Sequence, residues 1–103
     1  MTASTLFDPS VKWERSAKVG LRPEPFGALA YHFDTRRLVF LKSTKLVELV
    51  DGLVDHESAA AAIEAIVTPV DERSRSAHIK ALESLADAGV IEPVSGPPIS
   101  FVG

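Results

Sequence analysis

Residues 26–42 read Phe-Gly-Ala-Leu-Ala-Tyr-His-Phe-Asp-Thr-Arg-Arg-Leu-Val-Phe-Leu-Lys, and they carry the strongest local structural signal in the chain. Residues 26–33 alternate with the period of a half-buried strand, so that three large side chains share one face: Leu29, Tyr31 and Phe33. Residues 34–36 are typical of a turn, and residues 37–42 form an apolar run bounded by basic side chains. The segment therefore predicts a β-hairpin.

The segments on either side of this hairpin predict one more strand and three helices. Residues 16–22 alternate, and Pro23 is expected to end that strand because proline cannot donate to a ladder. After residue 42 the apolar period becomes helical. The predicted helices run from a cap at Ser43 or Thr44 to Gly52, from Ala59 to Val67, and from Thr68–Pro69 to about Ala88. Their buried stripes are Leu46, Leu49, Val50 and Leu53 in the first helix and Ile79, Leu82, Leu85 and Ala86 in the third.

This order of elements predicts the fold class. Three strands followed by three helices indicate an α+β domain that is winged helix-turn-helix-like, with a three-stranded antiparallel sheet. A length of 103 residues fits one domain. We expect a flexible N-terminal arm over residues 1–14, in which Phe7 and Trp13 can pack back, a folded domain over residues 15–92, and a Pro/Gly-rich tail over residues 93–103.

The composition argues against an enzyme. The chain has no cysteine, which excludes a disulfide scaffold, a thiol nucleophile and an iron–sulfur cluster held by this chain. Its histidines, His32, His56 and His78, fall on three different predicted elements and lack the i, i+4 spacing of a helical metal pair. No glycine-rich phosphate loop is present. We therefore expect no catalytic residues, no metal site and no cofactor.

Targeting and charge limit the location and the partners. Residues 1–10 lack the basic and apolar regions of a secretory signal, and no apolar run approaches the ~20 residues of a membrane span. We therefore expect a cytoplasmic protein without a membrane partner. The net charge is −3, divided between a basic half over residues 1–45 and an acidic half over residues 46–103.

A winged-helix DNA-binding regulator is the alternative that this fold class raises. In that reading the third helix reads DNA and should be basic. Between Asp71 and Asp87 the chain carries three basic and four acidic side chains, a balance that phosphate attraction does not favour. We therefore expect no nucleic-acid partner.

Peptide capture fits the pattern better. If the strands pair in order, residues 37–42 form an edge to which an extended peptide can add as a further strand. Residues 38–41 are apolar on both faces, which is unusual for a solvated edge. Two alternatives stay open: Arg36, Arg37 and Lys42 protect the edge from aggregation, or the edge pairs with a second copy in a homodimer.

A resemblance to a known family supports the peptide reading. Residues 19–29 (Val-Gly-Leu-Arg-Pro-Glu-Pro-Phe-Gly-Ala-Leu), Tyr31 and residues 35–43 (Thr-Arg-Arg-Leu-Val-Phe-Leu-Lys-Ser) resemble the MftB family of mycofactocin biosynthesis peptide chaperones. That family is PqqD-like, which means that its members are recognition elements for ribosomally made peptides. The resemblance continues through the helices to about Ile91, where it rests mainly on pattern and spacing.

The resemblance implies a function and a site. Such proteins bind the leader of a precursor peptide and present it to a radical-SAM maturase, which holds the cluster and the cofactor. The leader binds antiparallel to the third strand, in the cleft between that strand and the third helix. On this chain the implied peptide-binding residues are Arg37, Leu38, Val39, Phe40 and Leu41 on the strand and Arg75, His78, Ile79 and Leu82 on the helix. The candidate residues for contact with the maturase are Lys12, Arg15, Lys18 and Arg22.

Overall fold

The structure is a computed structural model that describes residues 7–68 and 71–94. Its strands are β1 (Trp13–Arg15), β2 (Val19–Glu24), β3 (Gly27–His32), β4 (Leu38–Leu41) and β5 (Ile91–Pro93). Its helices are α1 (Thr44–Gly52), α2 (Ala59–Ile66) and α3 (Glu72–Asp87), with a 3₁₀ turn (Leu53–Asp55) after α1. Strands β2, β3 and β4 form an antiparallel sheet in that order, and β1 pairs separately with β5. The predicted α+β class, with a three-stranded antiparallel sheet and three helices, is confirmed.

Each helix begins at a residue whose side chain caps it. An oxygen of the preceding residue accepts a backbone N–H bond from the first turn, and the three capping residues are Ser43, Ser58 and Asp71. The predicted start of the third helix at Thr68–Pro69 is wrong, because α3 begins at Glu72 after the Asp71 cap. Pro69 itself lies outside the described residues.

Strand β2 continues past Pro23, so the prediction that proline ends it is wrong. The backbone N–H of Phe33 donates to the carbonyl of Lys18 at 2.8 Å. Because successive residues of a strand point to opposite neighbours, the even-numbered residues of β2 bond to β3 and Pro23 faces the open edge. Its missing N–H therefore removes no bond from the ladder.

Strand β1 lies where a flexible arm was expected. Trp13 is only 4% exposed, and its indole N–H donates to the carbonyl of Asp8 at 2.8 Å. The Phe7 ring packs against it with 4.8 Å between centroids, as the sequence allowed. The Ala59 N–H donates to the carbonyl of Val11 at 3.0 Å and so ties this segment to α2. Residues 7–14 are thus held by an aromatic contact and by the β1–β5 pairing.

The core lies between the inner face of the three-stranded sheet and the helices. The predicted stripe residues Leu49, Val50, Leu53, Leu82 and Leu85 are buried, while Leu46, Ile79 and Ala86 are partly buried against them. The small residues Ala28 and Ala30 of β3 let α1 pack closely on the sheet. None of the helices in the described part of the chain combines the length and the apolar character that a membrane span needs.

Candidate functional site

The backbone of β4 presents hydrogen-bonding groups on its open side. The N–H of His32 donates to the carbonyl of Arg37 at 3.0 Å, which directs the odd-numbered residues of β4 towards β3. The N–H and carbonyl groups of Leu38 and Phe40 consequently point away from the sheet. Within residues 7–68 and 71–94 these groups have no hydrogen-bond partner. An open edge of this kind is a template for a further strand.

The side chains of the same two residues are exposed although they are large and apolar. Leu38 is 57% exposed and Phe40 is 59% exposed. They lie opposite Tyr31 and Leu29 across the ladder, and the Phe40 ring meets Phe26 edge-on with 5.8 Å between centroids. This outer face of the sheet is an apolar surface of the kind that marks an interaction site in soluble proteins.

Gly27 holds the end of β4 in place. Its φ of +150° lies in a region that side chains other than glycine rarely adopt. A Cβ at this position would overlap the carbonyl oxygen of Leu41 and crowd the backbone of Ser43. Only glycine therefore lets the start of β3 approach the junction between β4 and α1 so closely.

A cleft of about 180 Å³ lies between α3 and the segment that leads from the end of β4 into α1. Its walls are largely apolar, and the residues that line it are Lys42, Ser43, Leu46, Ala77, His78 and Ala81. The half-buried His78 has its Nδ1 2.8 Å from the carbonyl oxygen of Ser74. Since a carbonyl only accepts, this bond requires the proton on Nδ1 and leaves Nε2 as the acceptor of the neutral ring.

The other three residues predicted on the α3 wall do not line this cleft. Arg75 donates from Nε and Nη2 to Glu64 of α2, the Nε distance being 2.9 Å, and this bond raises the pKa of Arg75. Leu82 is 0% exposed and Ile79 is half-buried against the core. The face of α3 that lines the cleft carries Ala77 and Ala81 instead of these three residues. Their i, i+4 spacing was visible in the sequence, but small alanines are also ordinary helix formers.

The residues predicted on β4 divide between its two faces. Leu38 and Phe40 are exposed on the outer face, and Arg37 is exposed at the start of the strand. Val39 is half-buried on the inner face, while Leu41 is 0% exposed and belongs to the core. A docked strand would therefore contact mainly the even-numbered residues and the backbone.

The basic residues predicted to contact a partner are mostly paired with acids of this chain. Three of them are neutralised by acids of this chain: Arg15 by Asp51, Lys18 by Asp34, and Arg22 by Glu24. The hydrogen bond from Lys18 lowers the pKa of Asp34 below its ordinary value, and in return raises the pKa of Lys18. The fourth, Lys12, is half-buried beside β1. Arg15, Lys18 and Arg22 line three separate depressions.

The comparisons with known proteins agree on one family. Residues 12–92 match the profile of the peptide chaperone MftB family. The peptide chaperone MftB of Mycolicibacterium smegmatis is 44% identical over 87 residues, which cover 84% of this chain and 83% of that protein. Those of Mycobacterium ulcerans and Mycobacterium tuberculosis are 41% and 38% identical, covering 84% and 87% of this chain and 78% and 81% of their own lengths. No solved structure matches the chain. The chain therefore belongs to the peptide chaperone MftB family.

Proposed function

We propose that this chain, a non-catalytic peptide chaperone of mycofactocin biosynthesis, binds the leader of a precursor peptide as an added strand along β4 and presents it to a radical-SAM maturase. The membership of the MftB family supports the chaperone role. The position of the leader is inferred from the open edge of β4 beside the α3 cleft. We infer in addition that the fold is PqqD-like, since the three-stranded sheet β2–β3–β4 followed by three helices agrees with that description.

The outward backbone groups of Leu38 and Phe40 are the observation that carries this proposal. An added strand takes its affinity from main-chain hydrogen bonds, which require free donors and acceptors along one edge. The opposite edge, on β2, is less suitable. There Pro23 has no N–H, and the N–H of Val19 already donates to the carbonyl of Ser16 at 3.1 Å. The sheet is therefore open to strand addition at β4.

A strand docked on β4 would also account for the exposed apolar side chains. Cross-strand neighbours stabilise each other on one face of a sheet, so alternate residues of the peptide would cover Leu38 and Phe40. The residues between them would point to the inner side, towards the cleft lined by Leu46, Ala77 and Ala81. Apolar residues on both faces of β4 would then be buried by one ligand.

The chaperone needs no chemistry of its own to assist the maturase. Holding the leader next to the enzyme turns a second binding event into an intramolecular one and raises the effective concentration of the reacting end. We propose that the cofactor belongs to the maturase and that Lys12, Arg15, Lys18 and Arg22 are candidates for contact with it. Three of these residues already form ion pairs within this chain. Each of the three would have to leave its present carboxylate in order to pair with a carboxylate of the maturase.

Calorimetric titration with the precursor peptide encoded beside this chaperone tests the proposal, with random duplex DNA as the control. We expect saturable binding of the peptide and no binding of DNA. A single backbone N-methyl group, moved along the leader, should weaken binding at every second position, because only alternate amides of an added strand face β4.

Three outcomes would contradict the proposal. Uniform tolerance of N-methylation would exclude strand addition. Salt-sensitive binding of DNA without binding of peptide would favour a winged-helix regulator. A dimer by light scattering that dilution or peptide does not dissociate would indicate that the β4 edge belongs to a second copy.

A further inference from the structure

The open edge of β4 and the adjacent cleft beside α3 together form a groove, here called the β4–α3 groove. The cationic side chains without an ion-pair partner are concentrated around it. Among the eleven lysines and arginines, five pair with carboxylates of this chain: Arg15, Lys18, Arg22, Lys45 and Arg75. The other six have no carboxylate partner in the described ranges 7–68 and 71–94. Five of those six flank the groove: Arg36, Arg37, Lys42, Arg73 and Lys80. This concentration occurs in a chain whose net charge is −3.

These five cations lie on both walls. Arg36 and Arg37 precede β4 and Lys42 follows it, so that the open edge has a positive charge at each end. Arg73 and Lys80 lie on one face of α3, where they line a surface depression together with Glu72, Ser76 and Ala77, and the Glu72 carboxylate pairs with Arg75 at 3.5 Å. Ala77 also lines the cleft between α3 and the β4–α1 junction, so the depression and the cleft adjoin.

Protection of the edge from aggregation does not explain the whole arrangement. Charges beside an open strand do discourage the pairing of two copies, which would account for Arg37 and Lys42. It would not account for Arg73 and Lys80, which lie on a helix. A ligand with negative charges on both sides of an extended segment would neutralise all of them, and complementary charge of this kind gives specificity and fast association.

We propose that the groove selects an acidic leader, in which an extended apolar segment has a carboxylate side chain near each end. This inference rests on the proposed function and specifies its ligand. From Arg37 to Lys42 the strand advances five residues, or about 17 Å at ~3.3 Å per residue. The two carboxylates should therefore be about five residues apart. Further acidic residues would lie opposite Arg73 and Lys80 on the α3 side.

Fluorescence anisotropy with the labelled precursor leader tests this selection. Binding to the wild-type chaperone should weaken about ten-fold when NaCl is raised from 50 to 500 mM, because salt screens exposed charges. Replacing the acidic residues of the leader by their amides should weaken binding by about two- to five-fold each. Arg37→Gln and Lys42→Gln should have effects of the same size. Lys45→Gln is the matched control, since Lys45 pairs with Glu48 at 3.2 Å, and it should change the affinity less than two-fold.

A charge exchange gives the sharpest result. Lys42→Glu should lose affinity for the natural leader. It should regain affinity for a leader in which one particular carboxylate residue is replaced by lysine. The position of that residue then gives the register of the leader along β4. Affinity that does not respond to salt, to the amides or to these variants would overturn the acidic selection while leaving the chaperone role intact. Absence of leader binding to the wild-type protein at any salt concentration would overturn both, since the inference depends on the proposed function.

Discussion

The backbone N–H of His32 donates to the carbonyl of Arg37 at 3.0 Å, and this bond determines which groups of β4 remain free. Because the pattern alternates, the N–H of Val39 faces β3 and the N–H of Phe40 faces the open edge. Two adjacent residues of β4 therefore differ in their hydrogen bonding. The N–H of Val39 helps to hold the sheet together, and the N–H of Phe40 is available to a ligand.

Proline substitutions at Val39 and Phe40 should separate the effect on the stability of the sheet from the effect on leader binding. Phe40→Pro removes an outward donor and should abolish leader binding with a modest loss of stability, whereas Val39→Pro removes a bond of the ladder and should unfold the sheet. Phe40→Ala is the control for the lost ring, and it should bind the leader more tightly than Phe40→Pro. The measurements are calorimetric affinity and urea unfolding. A folded Phe40→Pro variant with the affinity of Phe40→Ala would argue against strand addition.

The α3 cleft should be blocked by a large side chain at Ala77. This residue is exposed on α3 and lines the cleft, so Ala77→Phe should leave the free energy of unfolding within about 0.5 kcal/mol of the wild type. It should weaken leader binding at least ten-fold by occupying the space of inward-pointing peptide residues. Ser84→Phe, at an exposed position of the same helix outside the lining, is the matched control. Equal affinities for the two variants would place the leader elsewhere.

Local sequence patterns predicted the parts of the fold that depend on local interactions. The hairpin over residues 26–42 and the cap at Ser43 follow from periodicity and from side chains close in sequence. Strand β1 was missed because three residues show no usable period and their partner, β5, lies near the other end of the chain. Pro23 was misjudged because its effect depends on which way its nitrogen faces in the assembled sheet.

The sequence pattern located the exposed residues of β4 better than it located the residues of α3 that line the cleft. The open edge at residues 38–41 followed from strands that pair in chain order, and the apolar residues on both of its faces marked it as unusual. On α3, the wall depends on the rotation of the helix about its axis, which packing decides. Ala77 and Ala81 face the cleft, while Leu82 lies in the core, in agreement with its place in the predicted buried stripe and not with its place in the predicted site.

Leu82 should consequently behave as a core residue. Leu82→Ala removes a fully buried side chain and should reduce the free energy of unfolding by about 2–5 kcal/mol. The folded fraction should keep the wild-type affinity for the leader, because the leader has no access to this side chain. Chemical denaturation and titration at low temperature provide the two values. A folded variant with unchanged stability and weakened binding would indicate that Leu82 contacts the leader and not the core.

Gly27 should be intolerant of a side chain. Gly27→Ala would combine an unfavourable φ with an overlap against the Leu41 carbonyl, and we expect a loss of about 3 kcal/mol of stability. Gly52→Ala is the matched control because Gly52 has an ordinary helical φ and its new Cβ would meet only the flexible end of Ile66. Thermal unfolding of both variants checks this. Similar melting temperatures for the two variants would show that the start of β3 does not closely approach the junction between β4 and α1.

The Lys18–Asp34 pair should make the stability of the fold depend on pH at the acidic end. Asp34 has a pKa below its ordinary value of 3.8, mainly because Lys18 donates to it, so the folded state binds its proton less readily than the unfolded state. The stabilisation is therefore present above that value and is lost as the pH falls through the lower, folded-state pKa. The free energies of unfolding of the wild type and of Asp34→Asn, measured in urea, should differ by a constant amount above about pH 5. This difference should narrow below about pH 4. A difference that stays constant down to the lowest pH would mean that the pair does not stabilise the fold through its charge.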